Sequence, residues 1–405
     1  MSIIDLNASA NPTITSCEPF SRSLKYLIAN NGSGMNDRGL RSCTNIEKLD
    51  ATNNVAITLC DPFAKSLKSL KAHGSCGIDD HGLRLCAAIQ KLHAIHNNKI
   101  TLYAPFVNSI ITLEMHRVHN ESHVTCPNLT HLYANCTHFS SHILLVKSLT
   151  YVTVSYASML DNNACDLTLS RCVNIAELCA DENYRITTCK PFAKSLCRLS
   201  AIGACGISDD GLRLCKSIEM LRADNNYKIT TCTPFARTLR ELSAHNTCGI
   251  CDEGLSECVS IEKLEAIKNE KITTCAPFAR TLHTLYASDK CGICDVGLRH
   301  CVSLEKLYAN DNRKITTCIP FAHTLFALYA SDTCGINDDG LQHCVSLEIL
   351  CANNNHQITT CDPFARTLTL LQAKGWCGIT TEGIRLCAAL TTLNYDHNKK
   401  IKFKI

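Results

Sequence analysis

The chain has 405 residues, 45% of them hydrophobic and 19% charged, with a formal net charge of +3. That composition can bury a large core and excludes a disordered chain, while the charge leaves no electrostatic footprint for nucleic acid or an anionic membrane. The opening "MSIIDLNASANPTITSC" lacks a basic stretch followed by an apolar run, so no signal peptide is expected, and the most apolar window, 142–160, is broken by Lys147 and several hydroxyl residues and does not read as a membrane span.

From Ile3 onward the chain repeats itself. Cys17, Cys60, Cys189, Cys232, Cys275, Cys318 and Cys361 fall on a period of 43 residues, interrupted once. Two positions further on stand Pro19, Pro62, Pro105, Pro191, Pro234, Pro277, Pro320 and Pro363. Asn11, Asn54, Asn97, Asn183, Asn226, Asn269, Asn312, Asn355 and Asn398 make another column, and Cys205, Cys248, Cys291, Cys334 and Cys377 another. A fixed period across a whole chain means a solenoid of stacked units. Each period also splits in two: "IEKLEAIKNEKITTCAPFART" (261–281) and "LHTLYASDKCGICDVGLRHCVS" (282–303) both run apolar-x-x-Leu-x-Ala with an isoleucine six residues beyond the alanine.

The pattern L-x-x-L-x-A-x-x-N-x-x-I resembles the leucine-rich repeat, with Ala in the third leucine slot. The half-unit carrying "CGI-x-D-x-GL-x-x-C" resembles the cysteine-containing subclass found beside F-box domains, and such arrays are also similar to those of large DNA viruses of amoebae. The resemblance spans residues 3 to about 401, roughly nineteen half-units. It implies an α/β solenoid shaped as a horseshoe, with parallel strands on a concave face, short helical turns on the convex side and a protein bound on the concave face. One solenoid over 3–405 is expected, with an irregular stretch at 103–170 and a basic edge at 399–405. With the first half-unit at Ile3, no F-box is expected ahead of the array.

The residues support the same picture independently. In "LHTLYAS", Leu282, Leu285 and Ala287 point inward while His283, Thr284, Tyr286 and Ser288 face out, as in a short strand. Asp80, Asp209, Asp252, Asp295 and Asp338, each just before a Gly-Leu turn, read as helix N-caps. Proline fixes φ at the start of "PFARTL", a second helical turn. The Asn column is expected to satisfy loop backbone, rung after rung.

The 29 cysteines raise the question of metal or disulfides, and "CGICDEGLSEC" at 248–258 has the look of a metal site. Residues 43 apart lie two rungs, or ~9.6 Å, from each other. A disulfide needs Cα atoms within ~7 Å, so same-column cysteines do not pair. The two half-units also carry their cysteines at different offsets. Cys251 and Cys294 share a column with Asp79, Ser208, Asn337 and Thr380, a turn position, so their C-x-x-C spacing is drift. The columns of Cys248 and Cys258 read as small apolar core fillers, reduced in a cytoplasmic setting.

Between 103 and 170 the columns lose their landmarks. Half-units there start at Ile110, Leu129, Leu149 and Ile175, spaced 19, 20 and 26 residues apart. His116, His119, His123 and Cys126 stand at spacings a metal could use, but the stretch reads as degenerate rungs with polar loop drift.

No Gly-rich phosphate loop, G-x-S-x-G or H-E-x-x-H occurs, so no enzyme is expected, and no cofactor or structural metal. The reading is a non-catalytic protein-binding scaffold, monomeric and cytoplasmic (host cytoplasm if viral). A cysteine- and histidine-rich metal or redox buffer is the alternative. The residue between the inward Leu and Ala projects from the sheet once per rung. Tyr286, Tyr308 and Tyr329 occupy it on three consecutive rungs, with Lys263, Glu265 and Lys306 as a polar rim. At the end, "NKKIKFKI" alternates Lys400, Lys402 and Lys404 with Ile401, Phe403 and Ile405, apolar toward the last rung and charged away from it.

Overall fold

A computed structural model describes residues 3–100, 105–115, 126–133, 147–155 and 166–402. The chain forms two compact units, Met1–Leu196 and Cys197–Ile405.

In the first unit the described residues form nine strands: β1 (Asp5–Asn7), β2 (Tyr26–Ile28), β3 (Lys48–Asp50), β4 (Ser69–Lys71), β5 (Lys91–Ala94), β6 (Thr112–Met115), β7 (His131–Tyr133), β8 (Tyr151–Thr153) and β9 (Glu177–Cys179). Each pairs in parallel with the next. The second unit has ten, also parallel and in chain order: β10 (Arg198–Ser200), β11 (Met220–Arg222), β12 (Glu241–Ser243), β13 (Lys263–Glu265), β14 (Thr284–Tyr286), β15 (Lys306–Tyr308), β16 (Ala327–Tyr329), β17 (Ile349–Cys351), β18 (Leu370–Gln372) and β19 (Thr392–Asn394). Parallel strands need a long crossover, and each half-unit supplies one.

Leu282, Leu285 and Ala287 are fully buried, whereas His283, Thr284 and Tyr286 reach solvent. Ser288 departs from the expected outward position. It is buried and its Oγ donates to the Tyr308 carbonyl at 3.3 Å, because the chain has left the strand there and the hydroxyl satisfies a neighbouring rung. The following residue, Asp289, takes φ 62°, a left-handed bend repeated at Lys268, Asp311 and Asp332 after the neighbouring strands.

The returning chain makes two kinds of turn. Short α-helices occupy α1 (Asp37–Leu40) and α2 (Asp166–Leu169) in the first unit. In the second they are α3 (Asp209–Leu212), α4 (Asp252–Leu255), α5 (Asp295–Leu298) and α6 (Asp338–Leu341). Turns of 3-10 helix, such as Ala276–Phe278 with Pro277 near its start, alternate with them. Phe235, Phe278, Phe321 and Phe364 from these turns are the bulkiest fully buried side chains of the second core. At Gly297 an added Cβ would lie 2.1 Å from the Thr273 carbonyl oxygen, so the helix seats on the neighbouring turn only through glycine.

The aspartates before Gly-Leu are not N-caps. Asp209, Asp252, Asp295 and Asp338 are already the first helical residue. The preceding residue has the extended backbone of a cap, and at Asn337 its Oδ1 accepts from Gly340 N at 2.9 Å. Asp79, before Asp80, does the same for Gly82 N at 2.8 Å. The aspartate carboxylates reach to the next half-unit instead. Asp295 Oδ1 accepts from Thr316 N at 2.8 Å, and Oδ2 from Thr316 Oγ1 at 2.6 Å.

The Asn column behaves as its chemistry requires. Buried Asn312 donates through Nδ2 to the carbonyls of Ala287 (2.8 Å) and Ile293 (3.2 Å) and accepts at Oδ1 from Lys314 N (2.9 Å). Asn54, Asn97, Asn226, Asn269, Asn355 and Asn398 repeat this bonding.

The degenerate stretch keeps its register. Leu113, Leu132, Val152 and Leu178 are successive inward partners, three residues after Ile110, Leu129, Leu149 and Ile175, all buried. Length changes there are absorbed between strands.

Candidate protein-binding surface

On the outward strand face of the second unit, parallel register stacks like over like. Ser200, Arg222, Ser243, Glu265, Tyr286, Tyr308, Tyr329, Cys351, Gln372 and Asn394 form one column, as the half-unit period predicts. Within it the ring centroids of Tyr286 and Tyr308 lie 4.0 Å apart and those of Tyr308 and Tyr329 4.2 Å, each pair 7° from parallel. All three side chains are half-buried against one another and open on their outer edge. Burial pushes the phenols of Tyr286 and Tyr329 up to about 12, reinforced by hydrogen bonding to Tyr308.

The basic end of the ridge is built by charge. Lys263 Nζ lies 5.5 Å from the Tyr286 ring centroid and 2.5 Å from Glu265 Oε1. His245 Nε2 meets Glu265 Oε2 at 3.1 Å. The His245 hydrogen bond, with Lys263 beside it, holds the Glu265 carboxyl down at about 2. A hollow of about 310 Å³ continues from this end, lined by Met220, Arg222, Glu241, Ser243, Lys263 and Glu265. Lys306 does not sit over Tyr308. Its Nζ lies 5.3 Å from the Phe326 ring, one position before strand β16.

The three tyrosines, Lys263 and Glu265 thus come together, and Lys306 flanks them through Phe326. Sequence reasoning missed Phe326 and the apolar column beside the tyrosines, where Ala327, Ile349 and Leu370 succeed one another in register. The signal was available at the first strand position, one column over. His245 was likewise missed, because it lies two residues past its strand, where alternation no longer tells the direction of a side chain.

In the first unit Tyr133 and Tyr151 rings lie 5.0 Å apart, and His131 stacks 5.6 Å from Tyr151. Among the described residues no three His, Cys, Asp or Glu side chains converge to hold a metal ion. His116, His119 and His123 lie outside the described residues, while Cys126 is buried, which pushes its thiol up to about 11. No helix among the described residues is long and apolar enough to cross a membrane.

Cysteines fill the core, but not as isolated columns. The neighbouring Cys301 thiol and burial push the Cys275 thiol up, and Cys43, Cys86, Cys258, Cys344 and Cys387 stand in the same relation to Cys17, Cys60, Cys232, Cys318 and Cys361. Cys275 N bonds to the Gly297 carbonyl at 3.0 Å, four residues before Cys301, and this seats one turn against the other.

No family model matches the chain, and no curated protein sequence matches it. Similarity appears among solved structures of leucine-rich-repeat proteins. The mouse RP105/MD-1 complex aligns over 98% of this chain and 78% of that one, at 13% identity and a TM-score of 0.53. An internalin, inlF of Listeria monocytogenes, aligns over 84% and 88% at 18% identity, with a TM-score of 0.37. The functional domain of InlJ from Listeria monocytogenes, described as including a cysteine ladder, aligns over 85% and 66% at 12% identity, with a TM-score of 0.41. With the parallel strands and short helical turns above, the fold is a leucine-rich-repeat solenoid.

Proposed function

We propose that the chain is a non-catalytic repeat scaffold of the cysteine-containing leucine-rich-repeat type. Its second unit would receive a protein partner on the outward strand face at Tyr286, Tyr308 and Tyr329. The observation that carries this reading is the ridge of three stacked rings with Lys263 at one end and the Phe326, Ile349 and Leu370 positions beside it. Rigid aromatic surface costs little conformational entropy to immobilise, and tyrosine is enriched where interfaces concentrate their energy. Lys263, Glu265 and Lys306 supply the polar rim. The RP105 structure is itself a complex with MD-1, which accords with the same use of the fold. With a net charge of +3 the partner is a protein rather than a nucleic acid or a membrane. The setting is cytoplasmic and the scaffold a monomer.

The test is replacement of all three tyrosines by serine in the full chain, followed by capture from extracts of the native cell. The triple variant keeps the circular dichroism of the parent and loses the captured protein. Undiminished capture overturns the reading. Stoichiometric metal in protein purified without an affinity tag would favour the metal-buffer alternative instead.

A further inference from the structure

The sequence holds one tryptophan, Trp376, and it is 85% exposed. The repeat supplies its own control for that residue. On the 43-residue period the same column carries Ser75, Ala204, Thr247, Lys290 and Thr333, all small or polar. The bend before it is also shared, since Gly375 takes φ 63° and Gly74 φ 62°. Trp376 N donates to Asn354 Oδ1 at 3.1 Å, and Asn354 Nδ2 donates to Asp332 Oδ1 at 2.9 Å. In the first unit Ser75 N donates to Asn53 Oδ1 at 3.2 Å, and Asn53 Nδ2 to Asn31 Oδ1 at 3.0 Å. The bend is complete with serine, so the indole adds nothing to its hydrogen bonding.

Beside the indole lies an open hollow of about 830 Å³, whose lining includes Arg313, Asp332, His356 and Gln357. Its polar groups are unequally used. The Asp332 carboxylate already accepts from Asn354, and Gln357 Nε2 donates to the Cys334 carbonyl at 3.3 Å. Among the described residues the Arg313 guanidinium, the His356 ring and the indole N–H have no hydrogen-bond or ion-pair partner. The hollow thus offers a permanent positive charge and unused donors next to an exposed ring. We propose that this edge docks an acidic segment of a protein partner, with a carboxylate on Arg313 and an apolar side chain against the Trp376 ring. A guanidinium takes a carboxylate through two parallel N–H donors, and tryptophan is enriched among the residues that dominate interface energy. An adjoining hollow of about 810 Å³ shares Arg313 and Thr333 but sets Lys268, Lys290 and Lys314 against Glu270, Asp289 and Asp311. Those charges balance, so Arg313 decides the sign of the occupant. A lone guanidinium beside a carboxylate suits one acidic segment better than an anionic membrane, which draws on several clustered basic residues. The site lies on the bends that follow β16, β17 and β18 and does not depend on the tyrosine ridge.

The experiment mixes the full chain with a fluorescein-labelled acidic pentapeptide, glutamates around a central leucine, and follows polarisation. Unlabelled peptide is titrated to millimolar concentration against the emission of the sole tryptophan. A saturable rise in polarisation is expected, with a shift of the emission to shorter wavelength as the exposed ring is covered, and both weaken with added salt. R313Q and W376S are each expected to weaken binding about fivefold or more. W376S keeps the bend, because Ser75 already holds the same one. The proposal falls if the acidic peptide leaves both signals unchanged, or if a peptide with lysine in place of glutamate binds as well. It falls equally if either variant binds like the parent, or if phosphatidylserine vesicles shift the emission where the peptide does not. Should a variant misfold, the two peptides against the parent chain still decide.

Discussion

Asp295 and Thr316 belong to successive half-units and are joined twice, the carboxylate accepting from the threonine amide at 2.8 Å and from its hydroxyl at 2.6 Å. Thr317 N adds a third bond to Asp295 Oδ1 at 3.3 Å. This bridge lies at the solvent edge, whereas Asn312 makes its three bonds in the core. Removing a partner from a buried group costs its full desolvation, and water replaces an exposed one. Asn312→Ala should therefore destabilise by about 2–4 kcal/mol and Asp295→Ala by about 1 kcal/mol. Denaturant melts of the two variants check the order, and equal losses would mean that the Asn ladder is not the main fastening between rungs.

Cysteine burial predicts a cost for polarity. Cys258 is fully buried beside the equally buried Cys232. Cys258→Ser shortens the side chain and places a stronger hydrogen-bonding group in an apolar core, at about 1–3 kcal/mol. Cys258→Ala leaves a small void without a polar group and should cost less. Thermal midpoints measured in reductant compare the two, and a serine variant at least as stable as alanine would contradict the apolar-filler role.

The tyrosine ridge predicts a pH dependence. In the unfolded chain phenols ionise near 10, and in the fold Tyr286 and Tyr329 are raised to about 12. Between those values the folded state holds protons that the unfolded state has lost. The stabilisation is thus complete below pH ~10 and declines as pH rises toward 12. An ultraviolet titration of the folded protein should show the phenols of Tyr286 and Tyr329 titrating late, and Tyr308→Phe should bring them only part of the way back, because burial is the larger cause. Eleven tyrosines titrating together would count against the stacked geometry.

The strands were legible because a parallel register stacks identical positions. Once Leu285, Leu307 and Leu328 are placed inward, Tyr286, Tyr308 and Tyr329 follow as a column. Even the irregular starts at Leu129 and Leu149 could be read, since only an apolar residue fills the inward slot. The turns were less legible. Asp295 looked like a cap because aspartate suits that role, yet which of two adjacent residues caps depends on backbone angles that the letters do not carry. The seating of the Cys275 turn on the Gly297 turn, through Cys275 N and the Gly297 carbonyl, was hidden for a related reason. Column arithmetic gives the distance between rungs, but not how two turns of different length lean together. Lys306 was assigned to the rim from its column alone, while its ammonium settles over Phe326, a residue outside the alternating segment.

The last strand carries the final expectation. In β19, Thr392 is exposed and Leu393 only half-buried, although its counterparts Leu350 and Leu371 are sealed. Beyond it Ile401 is buried, Lys402 N donates to Thr381 Oγ1 at 2.7 Å, and Lys399, Lys400 and Lys402 stand in solvent. Phe403, Lys404 and Ile405 lie outside the described residues. An open parallel strand offers unpaired backbone to any other strand, and flanking lysines oppose that approach by charge. Deleting residues 399–405 removes Ile401 from the core and four of the nearby lysines at once. The truncated chain is expected to associate with concentration, visible as a rising light-scattering mass, more strongly at high salt where remaining charge is screened. A variant with only the four lysines changed to Ser separates the causes. If it associates as the deletion does, charge is the guard; if it stays dispersed, the Ile401 cover is.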